Sequence, residues 1–471
     1  MGSTFGGLST ALSSLYTQRR GLDVTGQNIA NANTEGYSRQ RVELAAMGGA
    51  PVPALHSVWN GVGGGVQVTD VARLRDAFLE ARGRQEHAQN TYLGAQQAMF
   101  GRIENVFAEP SDTALAAQMN DFWAGWGDVA NQPGNEAVRT QLLERGAVVA
   151  DGLRAAYDGL NSQWTSTRDQ LDAFVTEVNS LADSVAHLNS TIQQQTAAGL
   201  PANELADQRD LHLMRIAELT GGTAIPREDG TIDVFVGGSS LVAGSNARHL
   251  EATGARQMEN QAGDKVQVRW QGGNNPTAAI SGGQLAASLD ILGEVIPGYA
   301  GQLDAVAVKL AERVNAVHSV GYGLDSTGPA DTAGDFFVPT TGATISARNI
   351  SVGITDPRKL GVSAASGALD GSNAAALAEV AKQADGADAM YREMVVGLGV
   401  AGQTAQRRAD IQTRVTGDMD MLRSADAGVN LDEEMTNMIT FQRAYEAASR
   451  VLTSVDEMLD VLINRTGLVG R

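Results

Sequence analysis

The sequence predicts a mostly α-helical protein with an inserted β domain, in which the N- and C-terminal helices pair as a coiled coil. Leucines recur every seven residues near the N-terminus, and apolar residues keep a three-four spacing from about residue 430 to residue 464. The pattern changes to strand-like alternation between residues 220 and 285. The predicted division is a terminal coiled-coil core domain (1–45 and 430–471), a long helical-bundle rod domain with short β segments (46–219 and 286–429) and a small β-rich outer domain (220–285).

The N-terminal helix is predicted from about residue 8 to residue 33. Seven residues make two helical turns, so apolar side chains at this interval form one narrow stripe that a second helix can cover. Leu12 lies between two of these positions, four residues after Leu8 and three before Leu15. The stripe consists of Leu8, Leu12, Leu15, Leu22 and Ile29.

The middle of the chain is predicted to be helical over about 71–218, after a Gly-, Pro- and Val-rich stretch of loops and short strands over about 34–70. Pro110 and the pair Pro133 and Gly134 mark helix ends, because proline cannot continue a helix. Four-three spacing places bulky side chains on one buried face of two of these helices. These faces carry Leu115, Met119, Phe122, Trp126 and Val129, and later Leu171, Phe174, Val178, Leu181, Val185 and Leu188.

The β domain is predicted from two alternating runs. Asp229 and Gly230 form a hairpin turn signal ahead of the first run. Alternation with a period of two is typical of strands that bury one face. The alternating apolar residues are Ile232, Val234 and Val236, and then Val266, Val268 and Trp270. Helix is predicted again over about 284–318 and, after a Gly- and Thr-rich stretch over about 321–372, to the end of the chain.

The last helix is predicted over about 430–464 and is about 50 Å long at ~1.5 Å per residue. A helix of this length cannot bury so narrow a stripe against itself and needs a partner helix or a neighbouring subunit. The simplest partner is the N-terminal helix, with the rest of the chain inserted between the two. The predicted interface residues of this helix are Met438, Phe441, Tyr445, Leu452, Val455, Leu459 and Leu462.

Composition excludes several classes of function. The 35 Lys and Arg residues against 54 Asp and Glu residues give a formal net charge of −19. We therefore expect no nucleic-acid partner and no membrane insertion, because the former needs a basic footprint and the latter a run of ~18 apolar residues. There are no cysteines, and none of the histidines pairs with another at ligand spacing. We expect no metal, no other cofactor and, without a nucleophile–base arrangement, no enzymatic activity.

The strongest local motif is N-I-A-N-A-N-T-E-G-Y-S-R-Q at residues 28–40, hereafter the signature segment. Asparagine tolerates the left-handed conformation that ends helices, and Gly36 supplies a positive φ for a tight turn. Tyr37 adds an aromatic anchor with a polar tip. The segment is therefore predicted to end the first helix, and its predicted assembly residues are Asn28, Ile29, Asn31, Asn33, Gly36 and Tyr37.

The signature segment resembles that of the rod, hook and hook-associated proteins of the bacterial flagellum, an axial protein superfamily. The C-terminal run V-N-L-D-E-E-M-T-N-M-I-T-F-Q-R-A-Y-E-A-A-S-R-V-L at residues 429–452 is similar to the matching element of that superfamily. The S-R-Q continuation and several interior runs resemble the hook-associated protein 1 family more closely. These runs are R-D-A-F-L-E-A-R (75–82), P-S-D-T-A-L (110–115), L-A-D-Q-R-D (205–210), I-D-V-F-V-G-G (232–238) and I-S-G-G-Q-L (280–285).

The resemblance implies a structural protein that the flagellar type III system exports from a transient cytoplasmic pool. It implies self-assembly into a ring or helical layer on the hook tip, outside the cell, with hook protein below and a second hook–filament junction protein above. The terminal helices would form the inner core, and the β domain the outer surface. A cytoplasmic export chaperone would bind the C-terminal segment.

Two alternatives remain at this level. The first is a paralogous hook or distal-rod protein, because the terminal signatures are shared across the superfamily. The second is a secreted enzyme whose catalytic unit is the β insertion at 220–285. That insertion is short and nearly free of clustered catalytic residue types, which argues against the enzyme.

Overall fold

The computed structural model describes residues 4–48, 63–272, 274 and 276–465. Its helices are α1 (Thr4–Ala30), α2 (Ala77–Phe107), α3 (Leu115–Asn131), α4 (Glu136–Ala197), α5 (Asn203–Thr220), α6 (Gly283–Asp290), α7 (Ile296–His318), α8 (Ser372–Val380), α9 (Ala387–Ala427) and α10 (Leu431–Asp460). Its strands are β1 (Gln40–Ala46), β2 (Val66–Arg73), β3 (Thr223–Pro226), β4 (Ile232–Val236), β5 (Ser239–Ala243), β6 (Asn246–Ala247), β7 (Leu250–Thr253), β8 (Gln267–Trp270), β9 (Phe337–Pro339) and β10 (Ile350–Val352). Short 3₁₀ turns lie at Met258–Asn260 and Pro357–Lys359, and π-helical turns at Ile291–Val295 and Val461–Arg465.

The first and last helices lie side by side. α1 packs along α10 and also contacts the antiparallel hairpin of β1 and β2. We call α1 and α10 together the terminal helix pair. Its presence, with long helices and a small β region elsewhere in the chain, confirms the predicted fold class.

The helical body begins with α2, which runs against α9 and α5. His87 of α2 joins the three helices: its Nε2 lies 3.0 Å from Oδ1 of Asp420 on α9, and its Nδ1 lies 3.3 Å from Oε1 of Glu218 on α5. The hydrogen bond with Glu218 is the largest contribution that raises the pKa of His87. The body is thus tied together by charge as well as by apolar packing.

The longest helix of the described chain is α4, with 62 residues. It begins at the N-cap Asn135, whose side-chain Oδ1 accepts the backbone N–H of Ala137 at 3.0 Å. The predicted breaks are confirmed, because α2 ends before Pro110 and α3 ends before Pro133. No helix in the described part of the chain is both long and apolar enough to cross a membrane.

The predicted buried faces are largely confirmed. All five predicted residues of α3 are buried, and Leu171, Val178, Val185 and Leu188 of α4 are buried with them. Phe174 and Leu181 are only partly buried and pack at the edge of the same core.

The predicted hairpin lies where the sequence indicates. Gly230 has φ +81°, and Oδ1 of Asp229 accepts the backbone N–H of Thr231 at 3.0 Å. β3, β4, β5 and β6 form one sheet in that order, and β7 and β8 form a separate antiparallel pair. The buried side chain of Asn189 on α4 donates to the carbonyls of Ile232 at 2.8 Å and Gly244 at 2.7 Å. The β region is therefore fixed to α4 through hydrogen bonds that need a single orientation.

An aromatic cluster fills the core between α3, α7 and β9. Phe122, Trp126, Phe336 and Phe337 are fully buried, with ring centroids 4.8–6.1 Å apart where they touch. His318 completes the cluster, its centroid 5.4 Å from that of Phe336. Its Nδ1 lies 2.7 Å from the carbonyl oxygen of Gly334 and donates to it, while its Nε2 accepts the N–H of Gly361 at 3.0 Å. This arrangement requires the neutral imidazole.

We expect the helical body to lose stability as the pH falls from 7 to 4. Burial lowers the pKa of His318 from 6.5 to about 4. The unfolded chain therefore binds a proton in this window that the folded chain does not, which costs about 3 kcal/mol of unfolding free energy by pH 4. Denaturant unfolding of His318→Gln at several pH values should lack this part of the slope. His187→Gln, an exposed control on α4, should keep it; equal slopes in both variants would contradict the assignment.

Candidate assembly interface

The contact between α1 and α10 depends on small residues of α1. A Cβ added to Gly21 would lie 2.7 Å from the ring of Phe441. One added to Gly7 would lie 3.8 Å from Cγ2 of Val455. The contact is therefore tighter at Gly21 than at Gly7, and a larger residue at position 21 would collide with the aromatic ring.

The face of α1 that the chain itself buries differs from the predicted leucine stripe. It consists of small and polar residues next to that stripe: Ala11, Thr17, Gly21, Val24, Thr25 and Asn28. The stripe residues Leu8, Leu15, Leu22 and Ile29 are only partly buried, and Leu12 is 44% exposed. The leucine stripe thus runs along the edge of the terminal helix pair.

The predicted stripe of α10 lies on the side that faces α1. Val455 is buried, Met438, Phe441, Leu452 and Leu459 are partly buried, and Tyr445 is 38% exposed. The backbone of Leu462 belongs to the final π-helical turn, and its side chain lies outside the described residues. A second set of large apolar side chains on α10 remains exposed: Leu431, Met435, Ile439, Val451 and Met458.

The signature segment ends α1 and joins both terminal helices to each other. Asn28 is buried, and all four of its hydrogen bonds are made within the chain. Its Nδ2 donates to the carbonyl oxygen of Gln40 at 2.9 Å and to Oε2 of Glu434 at 3.1 Å. Its Oδ1 accepts the hydroxyl of Tyr37 at 2.8 Å and the backbone N–H of Gln40 at 3.0 Å. The amide thereby fixes the end of α1, the start of β1 and the start of α10 together.

Tyr37 and Gly36 shape the turn that follows α1. Burial raises the pKa of Tyr37 to about 12, with a further contribution from Asp207 and other carboxylates, so its hydroxyl remains a donor to Asn28. Gly36 has φ +77°, and a Cβ there would lie 2.6 Å from Cγ of Leu211 on α5. Both the backbone conformation and the contact with α5 therefore require glycine.

Arg39 connects the signature segment to the junction of α9 and α10. Its Nε donates to Oε1 of Glu434 at 2.8 Å, and its Nη1 donates to Oε2 of Glu433 at 2.7 Å. Its backbone N–H donates to the carbonyl oxygen of Ala427, the last residue of α9, at 2.9 Å. Since Glu434 is only 2% exposed, its ion pair with Arg39 is shielded from water.

Asp207 connects the signature segment to the helical body. Its carboxylate accepts the backbone N–H of Ser38 at 3.2 Å and the Ser38 hydroxyl at 2.8 Å. Arg73 of β2 donates to Asp207 at 2.9 Å and to Asp210 at 2.8 Å. Arg75 also contacts Asp210. A connected set of charged hydrogen bonds thus joins α1, α5, β2 and α10.

The reason predicted for the asparagines is wrong. Among the described residues, Ala108 is the non-glycine residue with positive φ, so no asparagine of the signature segment is left-handed. Asn28 acts through its amide instead, and Nδ2 of Asn31 donates to the carbonyl oxygen of Gln27 at 3.0 Å. Asn33 is exposed.

Sequence reasoning missed the acidic partners of this site. Asp432, Glu433 and Glu434 lie in the first turn of α10, where acidic residues commonly complement the N-terminal dipole of a helix. Glu434, however, is buried and paired with Arg39 and Asn28. Asp207 lies within one of the interior runs that resemble the family. That resemblance was the only feature of the sequence that could have pointed to Asp207.

Family models match three parts of the chain. Residues 100–337 match the model described as the flagellar hook-associated protein FlgK helical domain. Residues 8–37 match the flagella basal body rod protein model, and residues 425–465 match the flagellar basal body rod FlgEFG protein C-terminal model. The terminal models thus coincide with α1 and α10.

Whole-chain comparisons agree with these models. The chain is 31% identical to flagellar hook-associated protein 1 of Bacillus subtilis (strain 168), with 100% of both chains covered. It is 24% identical to flagellar hook-associated protein 1 of Escherichia coli (strain K12), over 97% of this chain and 99% of the other. The solved structure of the flagellar hook junction protein FlgK from Burkholderia pseudomallei has a similar fold, with a TM-score of 0.63 at 15% identity over 73% of this chain and 99% of that one.

Proposed function

The chain belongs to the flagellar hook-associated protein 1 family and is a structural component of the bacterial flagellum, and on that basis we propose that it forms the junction layer between hook and filament. The observation that carries the proposal is the partial exposure of apolar side chains along the terminal helix pair. One chain leaves Leu12, Leu431, Met435 and Ile439 between 44% and 58% exposed. Exposed apolar side chains grouped on one pair of helices mark an interaction site, which neighbouring copies would cover.

In this proposal assembly is heterologous, with one patch of the terminal helix pair meeting a different patch of the next copy. Repetition of a heterologous contact produces a ring or a helical layer. The terminal helix pair then forms the inner core of that layer, with the leucine stripe and the remaining predicted residues of α1 and α10 in contact with adjacent copies. The predicted division into core, helical rod and β-rich outer domains is part of the same proposal.

The charged hydrogen bonds around the signature segment have a mechanical role in this proposal. They fix the angle between the terminal helix pair and the helical body through Asn28, Glu434 and Asp207. Buried, fully paired hydrogen bonds tolerate few alternative geometries. Load between the inner core and the outer domains therefore passes through a stiff connection.

The partners of the layer follow from its proposed position. Hook protein lies below and a second hook–filament junction protein above, both outside the cell. The chain reaches this position through the flagellar type III system, and a cytoplasmic chaperone holds its C-terminal segment before export. The exposed apolar residues of α10 are the surface that such a chaperone would need to cover.

A position in the hook or distal rod is the second candidate, because rod-protein models match both ends of the chain. Deletion of the gene distinguishes the two candidates. We expect electron microscopy to reveal bare hooks, with flagellin released into the medium. Cells without hooks would favour the position in the hook or distal rod, and normal flagella would contradict both candidates.

A further inference from the structure

One cleft of the described chain lies between α2 and β3. It has a volume of about 610 Å³ and is bounded by α2, by residues 221–224 and by the loop before α6. Its floor depends on close backbone contact: a Cβ on Gly221, which has φ +69°, would lie 2.8 Å from Cα of Gly282. The cleft is therefore a built feature of the fold.

Arg84 of α2 lines this cleft and is partly buried. Its side chain makes no hydrogen bond and no ion pair with the residues that the structure describes. Burial disfavours the charged guanidinium and lowers its pKa. The nearest carboxylates are engaged elsewhere: Asp210 pairs with Arg73 and Arg75, and Glu80 pairs with Arg75 and Arg423. A partly desolvated cation without its own carboxylate costs folding free energy, and an external anion would recover that cost.

The surroundings of Arg84 favour an extended peptide over a small anion. β3 is the outer strand of its sheet, and no further strand pairs with it in the described part of the chain. Edge strands present unpaired backbone groups that an added segment can use. Phe78, which lines the cleft, is 74% exposed, and Ala81 and Ala224 also line it. A cation, a strand edge and flanking apolar side chains together fit a segment that carries a carboxylate.

We propose that this cleft receives an acidic, extended segment of a second copy of this chain. The proposal rests on the self-assembly proposed above. Charge complementarity supports it, since each copy carries a net charge of −19 and Arg84 is a cation without its own carboxylate. The position of the cleft supports it too. The backbone N–H of Leu74, a few residues before α2 begins, donates to the carbonyl oxygen of Arg39 in the signature segment. The end of the cleft at Phe78 thus lies close to the signature segment, which connects the helical body to the terminal helix pair.

Substitution of Arg84 separates this role from a structural one. Arg84→Met should reduce the number of filaments attached per cell about tenfold or more, while thermal unfolding of the purified chain stays unchanged or shifts upward. Arg84→Lys should restore part of the attachment. Arg256→Met is the control, because Arg256 is an exposed arginine with a surface ion pair to Asp172. A lower melting temperature for Arg84→Met, or full attachment, would overturn the proposal.

Cross-linking identifies the occupant in assembled flagella. A photoreactive residue in place of Gln85, an exposed residue that lines the cleft, should cross-link to an acidic segment of a second copy. The same residue at the exposed control position Gln141 should not give that product. Cross-links only to another flagellar protein, or none, would overturn the proposal. If Arg84 variants assemble normally while terminal-helix variants fail, the cleft proposal falls and the junction function stands.

Discussion

Replacing both Leu452 and Leu459 by aspartate is expected to abolish assembly and leave cells with bare hooks. Both leucines are partly buried on the side of α10 that faces α1, seven residues apart. Each substitution forfeits about 1–2 kcal/mol of apolar burial and places a charge in the helix contact. The loss recurs in every copy of a layer, so its effect on assembly exceeds its effect on one chain. Electron microscopy and a flagellin assay of the medium measure the outcome.

The control for this prediction adds an aspartate to another side of α10. Thr453 is exposed, and its replacement by aspartate should permit assembly. Thermal unfolding of the purified leucine variant should retain the transition of the helical body. The reason is that α10 packs against α1, whereas the aromatic core of the body lies between α3, α7 and β9. Normal filaments on the leucine variant would remove the claim that the terminal helix pair drives assembly.

Asn28→Asp is expected to release the terminal helix pair from the body. The substitution removes the amide donor that binds the Gln40 carbonyl and Glu434. It also brings a second carboxylate within contact of Glu434, which is 2% exposed. Two lost hydrogen bonds, one of them to a charged group, and the added repulsion cost about 3–5 kcal/mol. Backbone amides of α1 and the start of α10 should therefore exchange hydrogen at least about a hundredfold faster.

Asn31→Asp is the matched control, because it makes the same chemical change one helical turn away. Asn31 is partly exposed, and its Nδ2 donates only to the carbonyl oxygen of Gln27. Loss of that exposed hydrogen bond should cost less than about 1 kcal/mol. Equal exchange rates in the two variants would mean that the buried position of Asn28 carries no special weight. Filament attachment measured in parallel should follow the exchange rates.

The local elements could be predicted because their signals are local. Proline and glycine positions mark the ends of α2 and α3, and Asp229 with Gly230 marks the hairpin of β3 and β4. The apolar spacing of α10 identified the side of that helix that faces α1. These signals arise from hydrogen bonding and packing over a few neighbouring residues, which the sequence displays directly.

The face of α1 that is buried could not be predicted from apolar spacing. Apolar periodicity points to Leu8, Leu15 and Leu22, whereas the chain buries the adjacent face that contains Ala11 and Gly21. Closely packed helices favour small side chains at their contact. A search for apolar periodicity gives these small residues less weight than leucine, so it selects the wrong face. The leucines remain partly exposed, which is the arrangement that assembly would use.

The sequence by itself determined the family, the helical order, the β insertion and the fact that the two ends need a partner. Only the tertiary structure decided how the ends attach to the body. Asn28 reaches Glu434 across 406 residues of sequence, and Ser38 reaches Asp207 across 169. A buried carboxylate and a solvated one are the same letter in a sequence. Their roles differ because folding removes water from one of them and supplies hydrogen-bond donors in its place.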